Sequence, residues 1–176
     1  MKLVKVLFAQ LFLLGFLLSG FSISWASENF ELDELPHVDI IDTVDFRIDS
    51  RLAVKKQTPI LILFSMEGCT YCQYVEEEHL KPMLRNADYG KKVIIRRVMT
   101  DDYDSLIDFD GKSVSGLDFS SRYGAYLTPT VVFLDHNGQQ LSRIFGVRNT
   151  EYYGGDLDDS LDLSLQIIRK KLASLK

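Results

Sequence analysis

The stretch ILILFSMEGCTYC, residues 60–72, decides how this chain is interpreted, because it ends in the only two cysteines of the sequence, Cys69 and Cys72. Residues 60–64 are apolar without alternation, which predicts a strand covered on both faces. Cys69 then falls where a strand ends and a helix begins, near unpaired backbone N–H groups and the positive end of a helix dipole, and both stabilise a thiolate. A cysteine pair at this spacing forms a disulfide or binds a metal.

The first 26 residues have the composition of an export signal. Two lysines open the segment, an apolar stretch covers residues 6–21, and Ser24-Trp25-Ala26 supplies a small-x-small cleavage site. An uncleaved anchor is the alternative, because residues 6–26 reach the length of about 20 residues that can span a bilayer. In both cases we expect the rest of the chain to lie outside the cytoplasm, in the periplasm.

The remaining residues, 27–176, have the size of one ordinary domain with its own hydrophobic core. Such a domain does not need a disulfide to fold, and a two-residue gap closes too short a loop to act as a useful structural staple. Without residues 1–26 the chain carries 18 basic and 25 acidic residues, a net charge of −7. An acidic domain without basic clusters argues against nucleic acid or an anionic membrane as a partner.

Hydrophobic periodicity predicts four helices. The first is expected from Asp39, because apolar residues recur there at three- and four-residue steps: Ile40, Ile41, Val44, Ile48 and Leu52. The others are expected after Cys69, at residues 117–123 and at residues 157–172. Pro82 should kink or end the second helix. We divide the chain into the signal, an acidic extension at residues 27–44 and a domain at residues 45–176.

Four strands are predicted, at residues 60–64, 93–98, 130–134 and 141–145. The first two are joined through a helix and should be parallel, whereas the Asn137-Gly138 turn makes the last two an antiparallel hairpin. The polar stretch 100–114 is expected to be a long loop. The element order α-β-α-β-α-β-β-α predicts an α/β fold with a central mixed four-stranded sheet flanked by helices.

The segment Leu127-Thr128-Pro129-Thr130 stands directly before the predicted hairpin. Together with the cysteine pair after the first strand, it resembles the thioredoxin superfamily over about residues 45–174. In that fold a proline before the hairpin is cis and packs against the redox pair, and Pro129 matches it in place and context. The resemblance implies that the backbone of Thr128 pairs like a strand with the substrate peptide around its cysteine.

A narrower resemblance rests on four short stretches, residues 108–112, 123–124, 128–130 and 133–135. They are similar to the exported thioredoxin-related proteins linked to bacterial sulfur oxidation. A threonine before the proline and a tyrosine before the second cysteine are also similar to periplasmic disulfide isomerases. Those isomerases carry a separate dimerisation domain, for which residues 27–44 are too few.

The chain also departs from the thioredoxin pattern. Cytoplasmic thioredoxins carry Trp-Cys-Gly-Pro-Cys, whereas Gly68 precedes this pair and Thr70-Tyr71 lies inside it. The buried carboxylate that helps thioredoxin to transfer protons would fall at Leu63, which cannot do so. Water or a nearby acid such as Glu67 would have to substitute for it.

The resemblance implies a thiol:disulfide oxidoreductase with no cofactor and no metal. Cys69 would be the nucleophile and Cys72 the resolving cysteine of a redox-active disulfide, with substrate contacts from Thr128, Pro129 and Tyr71. The partners would be protein or small-molecule thiols and disulfides. No histidine lies between the two cysteines, where a histidine favours strong oxidants, and acidic residues are nearby. We therefore expect a reductant that a membrane electron donor keeps reduced.

Three alternatives remain open from the sequence. The first is an exported copper-binding protein that uses both cysteines and Met66, because soft sulfur ligands suit Cu(I). The second is a disulfide oxidase or isomerase, and the third is a thioredoxin-like adaptor with incidental cysteines. A structural zinc site would need more ligands, and the chain offers only three histidines for it: His37, His79 and His136.

Overall fold

Four strands form one mixed sheet in the order β2-β1-β5-β6, and two shorter strands form a separate hairpin. The computed structural model describes residues 35–102 and 104–174, so the predicted export signal lies outside the described residues. In chain order the strands are β1 (Ile60–Ser65), β2 (Ile94–Met99), β3 (Ser105–Ile107), β4 (Ser113–Ser115), β5 (Thr130–Leu134) and β6 (Gln140–Phe145). β1 pairs with β2 in parallel and with β5 antiparallel, and β5 pairs antiparallel with β6. The predicted mixed four-stranded sheet is confirmed.

The described helices pack around this sheet. They are α1 (Phe46–Lys56), α2 (Thr70–Val75), α3 (Lys81–Arg85), α4 (Ala87–Gly90), α5 (Gly116–Arg122) and α6 (Tyr153–Ser174). A π-helical turn over Glu76–Leu80 joins α2 to α3. None of the helices within the described residues is both long and apolar enough to cross a bilayer.

Strand β1 is covered on both faces, as its unbroken apolar sequence predicts. Leu61 and Leu63 pack into one cluster with α6 and the helical run after Cys69. Ile60, Ile62 and Phe64 pack into a second cluster with residues of α1 and α5. All five side chains are fully buried, and each contributes roughly 1.5–3 kcal/mol by leaving water. The strand that leads to Cys69 is therefore held rigidly at the centre of the molecule.

The predicted start of the first helix at Asp39 is wrong. Residues 40–44 run extended beside β2, where Thr43 N–H donates to the Arg97 carbonyl and Arg97 N–H donates to the Ile41 carbonyl. The helix begins only at Phe46, because Asp45 caps it by accepting the N–H of Arg47 at 2.9 Å. The helical spacing of apolar residues is misleading in this segment, because Val44 fits that spacing and is nevertheless exposed.

The prediction of one long loop over residues 100–114 is also wrong, because this stretch contains the β3–β4 hairpin. Asp108 holds its turn: one carboxylate oxygen accepts the N–H groups of Asp110 and Lys112, and the other accepts from Arg122. Leu106 anchors the hairpin in the second core cluster. Strands of three residues are too short to produce a readable alternation of apolar and polar residues.

Pro82 follows an interruption of the α-helical register but does not end the helical run. The hydrogen-bond register widens to the π form directly ahead of it, over Glu76–Leu80, and Pro82 then lies in the first turn of α3. Proline lacks an N–H group but fits the first turn of a helix, where that group has no partner within the helix. The helical run that begins after Cys69 therefore continues to Arg85 with a change of register.

Candidate active site

Cys69 and Cys72 form a disulfide across the first turn of α2, with their Cα atoms 5.2 Å apart. Cys69 is the N-cap residue, and its Sγ accepts a hydrogen bond from the N–H of Cys72 at 3.2 Å. The two residues differ in burial, because Cys69 is half-buried whereas Cys72 is only 1 % exposed. One sulfur of the pair is thus open to a partner, and the other is shielded.

A tight turn carries the chain from β1 to Cys69. The Cys69 N–H donates to the Met66 carbonyl, and Gly68 adopts a φ of +69°. This left-handed conformation is accessible to glycine at little cost and is unfavourable for a bulky side chain. The carbonyl of Ser65, at the end of β1, accepts from both the N–H and the hydroxyl of Thr100. The conformation of this turn therefore favours a glycine at position 68.

The loop before β5 lies at the same end of the sheet. Thr130 pairs with Phe64, so Pro129 stands at the edge from which the Met66–Cys69 turn departs. The Thr128–Pro129 peptide bond is cis, and Pro129 is buried. Its carbonyl accepts the N–H of Gly146 at 2.8 Å. Within the described residues, neither backbone group of Thr128 has a hydrogen-bond partner, which leaves one donor and one acceptor at this end of the sheet.

Tyr71 projects from the first turn of α2, between the two cysteines in sequence, and is 58 % exposed. Met66, in the turn before them, is also exposed. These side chains add apolar surface around the half-buried Cys69 without contributing to the core. They are therefore available for contact with another molecule.

The position at which the resemblance to thioredoxin implies a buried carboxylate holds Leu63 instead. Leu63 is fully buried there. Arg97, opposite Leu63 on β2, binds Asp42 through two hydrogen bonds of 2.7 and 2.8 Å and Glu76 through one of 2.8 Å. Glu67, the acid considered as a substitute, lies exposed in the turn before Cys69. Sequence reasoning missed Glu76, which is four residues after Cys72 on the same helical run.

Among the described residues, the hydrogen bonds and ring contacts of the three histidines do not involve the cysteine pair. His79 Nε2 lies 3.3 Å from the Tyr74 hydroxyl and its ring packs against Tyr153, and burial lowers the pKa of His79. His37 is exposed and contacts Asp39, and His136 belongs to the turn after β5. Across residues 35–102 and 104–174, no group of three histidine, cysteine, aspartate or glutamate side chains has the geometry of a metal site.

Residues 46–155 match the thioredoxin-like domain family. This segment spans more than half of the chain and contains the cysteine turn, the Thr128–Pro129 loop and all four strands of the main sheet. The chain therefore belongs to the thioredoxin-like domain family. Membership of this family together with the Cys69–Cys72 pair identifies it as a thiol:disulfide oxidoreductase, which confirms the class that the sequence predicted.

Several solved structures are similar to this chain at low sequence identity. An oxidoreductase named DsbH is 15% identical with a TM-score of 0.53, and the match covers 78% of this chain and 96% of that one. The reduced periplasmic thioredoxin SoxS from Paracoccus pantotrophus is 18% identical with a TM-score of 0.42, covering 60% and 97%. A thioredoxin-fold protein from Helicobacter pylori is 18% identical with a TM-score of 0.43, covering 68% and 86%. No curated protein matches the chain.

Proposed function

We propose that the protein is an extracytoplasmic reductase of protein or small-molecule disulfides, in which Cys69 is the nucleophile and Cys72 resolves the intermediate. The observation that carries this assignment is the unequal burial of the two sulfurs at the start of one helix. Cys69 is accessible and its Sγ accepts a backbone N–H, whereas Cys72 is shielded. A bulky substrate disulfide therefore reaches Cys69 first.

The reaction takes place in two exchanges. The Cys69 thiolate attacks one sulfur of the substrate disulfide, which forms a mixed disulfide and releases the other substrate sulfur as a thiolate. The Cys72 thiolate then attacks Cys69 Sγ, which closes the Cys69–Cys72 disulfide and releases the second substrate thiolate. Two electrons pass to the substrate, and its two thiolates take up protons. An external dithiol donor must then return two electrons to the pair.

The Thr128–Pro129 loop positions the substrate. The unpaired N–H and carbonyl of Thr128 can hydrogen-bond an extended peptide in the manner of strand addition. Pro129 fixes this segment through the hydrogen bond from Gly146 to its carbonyl, and the exposed ring of Tyr71 contacts the substrate from the other side of Cys69. Orientation in this way matters because sulfur exchange requires the three sulfurs to align.

We infer that the protein reduces its substrates, because no histidine lies between the cysteines and acidic residues are near the pair. In this proposal residues 1–26 export the chain, residues 27–44 precede the redox domain at residues 45–176, and a membrane electron donor supplies the electrons. Mass spectrometry of the periplasmic protein should find a mature N-terminus at Ser27. A protein that retains residues 1–26 and sediments with membranes would instead indicate the uncleaved anchor.

Insulin reduction tests the catalytic assignment. Wild-type protein with a dithiol donor should precipitate the insulin B chain, and Cys69→Ser should abolish this activity. Activity that survives in Cys69→Ser would overturn the assignment. A measured reduction potential of about −270 mV, as in thioredoxin, agrees with a reductase, whereas one of about −120 mV indicates an oxidase. Stoichiometric retention of Cu(I) without any disulfide exchange would favour the copper-binding alternative.

A further inference from the structure

We propose that a cavity at the end of the sheet opposite the cysteine pair binds an uncharged, lipophilic small molecule that carries one hydrogen-bonding group. This inference goes beyond the proposed function and does not depend on it. Two lining residues fix the position of the cavity: Thr58 lies just before β1, and Asp135 follows β5, whose last residue pairs with the first residue of β1. The six residues of β1 separate the cavity from the cysteine turn by about 20 Å.

The cavity has a volume of about 450 Å³, which falls within the range of roughly 300–1,000 Å³ typical of small-molecule sites. It lies between the C-terminal ends of α1 and α6 and the turn after β5. Ala53, Thr58 and Asp135 are each no more than 3% exposed and form its floor. Val54 is 55% exposed and lies at its rim. A concavity with a buried floor removes most of the surface of a small ligand from water.

Helix α6 supplies much of the apolar wall. Its apolar stripe begins with Leu157, Leu161 and Leu165, which are buried in the first core cluster. Ile168 and Leu172 continue this stripe but belong to neither cluster; they are half-buried and line the cavity instead. Because they are four residues apart, they lie on the same face of the helix. Covering their remaining surface with an apolar ligand is therefore favourable.

The charges in the cavity already compensate each other. Among the described residues that line it there is one carboxylate, Asp135, and one ammonium group, Lys171. Lys171 Nζ donates to Asp135 Oδ2 at 2.8 Å and to Gln139 Oε1 at 3.0 Å. The other oxygen of Asp135 accepts the N–H groups of Asn137 and Gln139. A charged ligand group would therefore lose water without gaining a counter-charge, which is unfavourable.

Thr58 supplies the polar contact. Its backbone N–H donates to the Ala53 carbonyl, but its hydroxyl oxygen is buried and has no hydrogen-bond partner within the described part of the chain. A buried hydroxyl without a partner lowers stability, and an apolar group of the same shape avoids this cost. A ligand whose polar atom reaches the floor of the cavity supplies the missing hydrogen bond. The ligand class therefore includes one hydrogen-bonding group on an apolar body.

Fluorescence titration of the full-length protein tests the ligand class with two related probes. N-phenylnaphthylamine is uncharged and apolar and has one N–H donor, and its fluorescence increases in apolar surroundings. We expect saturable binding of one molecule per chain. Anilinonaphthalenesulfonate has the same rings and N–H but carries a negative charge, so it should bind at least about tenfold more weakly. Equal or tighter binding of the sulfonate would overturn the preference for an uncharged ligand, and no saturable binding of the amine would overturn the site.

A pair of variants on α1 tests the location. Val54→Trp places a large ring at the rim and should weaken binding of N-phenylnaphthylamine at least about tenfold by obstructing the cavity. Ile48→Trp is the matched control, because Ile48 is also 55% exposed on α1 but does not line the cavity, and it should keep the wild-type affinity. Thermal melts verify that both variants are folded. Wild-type affinity in Val54→Trp would place the probe elsewhere and overturn the assignment.

Variants of Thr58 test the polar contact. Thr58→Val should weaken binding of the amine roughly three- to tenfold while its melting temperature stays the same or rises, since the unpaired hydroxyl is removed. Thr58→Ser keeps the hydroxyl and should keep most of the affinity. Unchanged affinity in Thr58→Val would overturn the role of the hydroxyl. Size-exclusion chromatography tests a competing occupant: a wild-type dimer that Val54→Trp converts to a monomer would show that a second copy covers the cavity, and would overturn the small-molecule site.

Discussion

Leu63 on β1 and Arg97 on β2 stand opposite each other in the parallel pairing of the two strands. Leu63 is fully buried, at the position where the sequence resemblance implies a carboxylate. Arg97 instead binds Asp42, from the extended segment beside β2, and Glu76, from the helical run that begins after Cys69. At this level of the sheet the charged side chain therefore belongs to β2, and β1 carries an apolar one.

The first prediction concerns this network. Arg97→Met removes the partner of Glu76, whose side chain is only 13% exposed, and should lower the free energy of unfolding by about 1–3 kcal/mol because a largely buried carboxylate is left unpaired. Urea unfolding measures the effect. Arg148→Met, an exposed arginine after β6, is the control and should leave the midpoint unchanged. Equal midpoints for both variants would show that the network contributes no stability.

The second prediction concerns stability in acid. Burial raises the pKa of Asp135, but hydrogen bonds from Lys171 and from the backbone of Gln139 and Asn137 outweigh it and hold the pKa below its ordinary value. A carboxyl whose pKa is lowered on folding stabilises the protein above its unfolded value of about 3.9 and loses that contribution as the pH falls through the folded value.

Asp135→Asn should therefore destabilise the protein near pH 7 and flatten the loss of stability below about pH 4. Thermal unfolding between pH 7 and pH 3 measures both effects. Asp88→Asn is the control, because Asp88 forms only an exposed pair with Lys91, and such pairs contribute little. Parallel pH profiles for wild type and Asp135→Asn would contradict the prediction.

The third prediction concerns the contact between α5 and β2. A Cβ atom on Gly116 would overlap the carbonyl oxygen of Met99, so Gly116→Ala should destabilise the fold by about 1–3 kcal/mol through overpacking. Gly90→Ala places its Cβ in open space and should be neutral or slightly stabilising, since it reduces the freedom of the unfolded chain. Thermal melts compare the two; a Gly116→Ala melt at the wild-type temperature would be inconsistent with this packing.

The fourth prediction concerns Tyr71. Because its ring is exposed, Tyr71→Ala should change stability by less than about 0.5 kcal/mol while kcat/KM for insulin reduction falls roughly three- to tenfold through lost substrate contact. Tyr152→Ala is the matched control, because Tyr152 is similarly exposed in the segment before α6. Equal kinetics for the two variants would remove Tyr71 from the substrate site.

Much of this fold was predictable because its signals are local. The unbroken apolar run of β1, the Asn137-Gly138 turn and the closing helix each depend on a few adjacent residues, and the structure confirms them. The start of α1 was misplaced because apolar spacing outweighed the Asp45 cap, and the β3–β4 hairpin was missed because its strands are too short to show alternation.

The candidate site likewise has parts that the local sequence predicts and parts that it does not. The spacing of the cysteine pair and the position of Pro129 are sufficient to predict both from the sequence. The ion network of Arg97 is formed by residues distant in sequence that the fold brings together. This network is recognisable only in three dimensions, because each of its residues taken alone is typical of an ordinary protein surface.

The most direct test of the central claim, that Cys69 attacks and Cys72 resolves, is mixed-disulfide trapping with the two single-cysteine variants. Reduced Cys72→Ser should form a stable covalent adduct with a peptide disulfide, detected by mass spectrometry and released by dithiothreitol. Reduced Cys69→Ser should form far less, because its remaining sulfur is buried. Equal trapping by both variants, or preferential trapping by Cys69→Ser, would contradict the proposed roles.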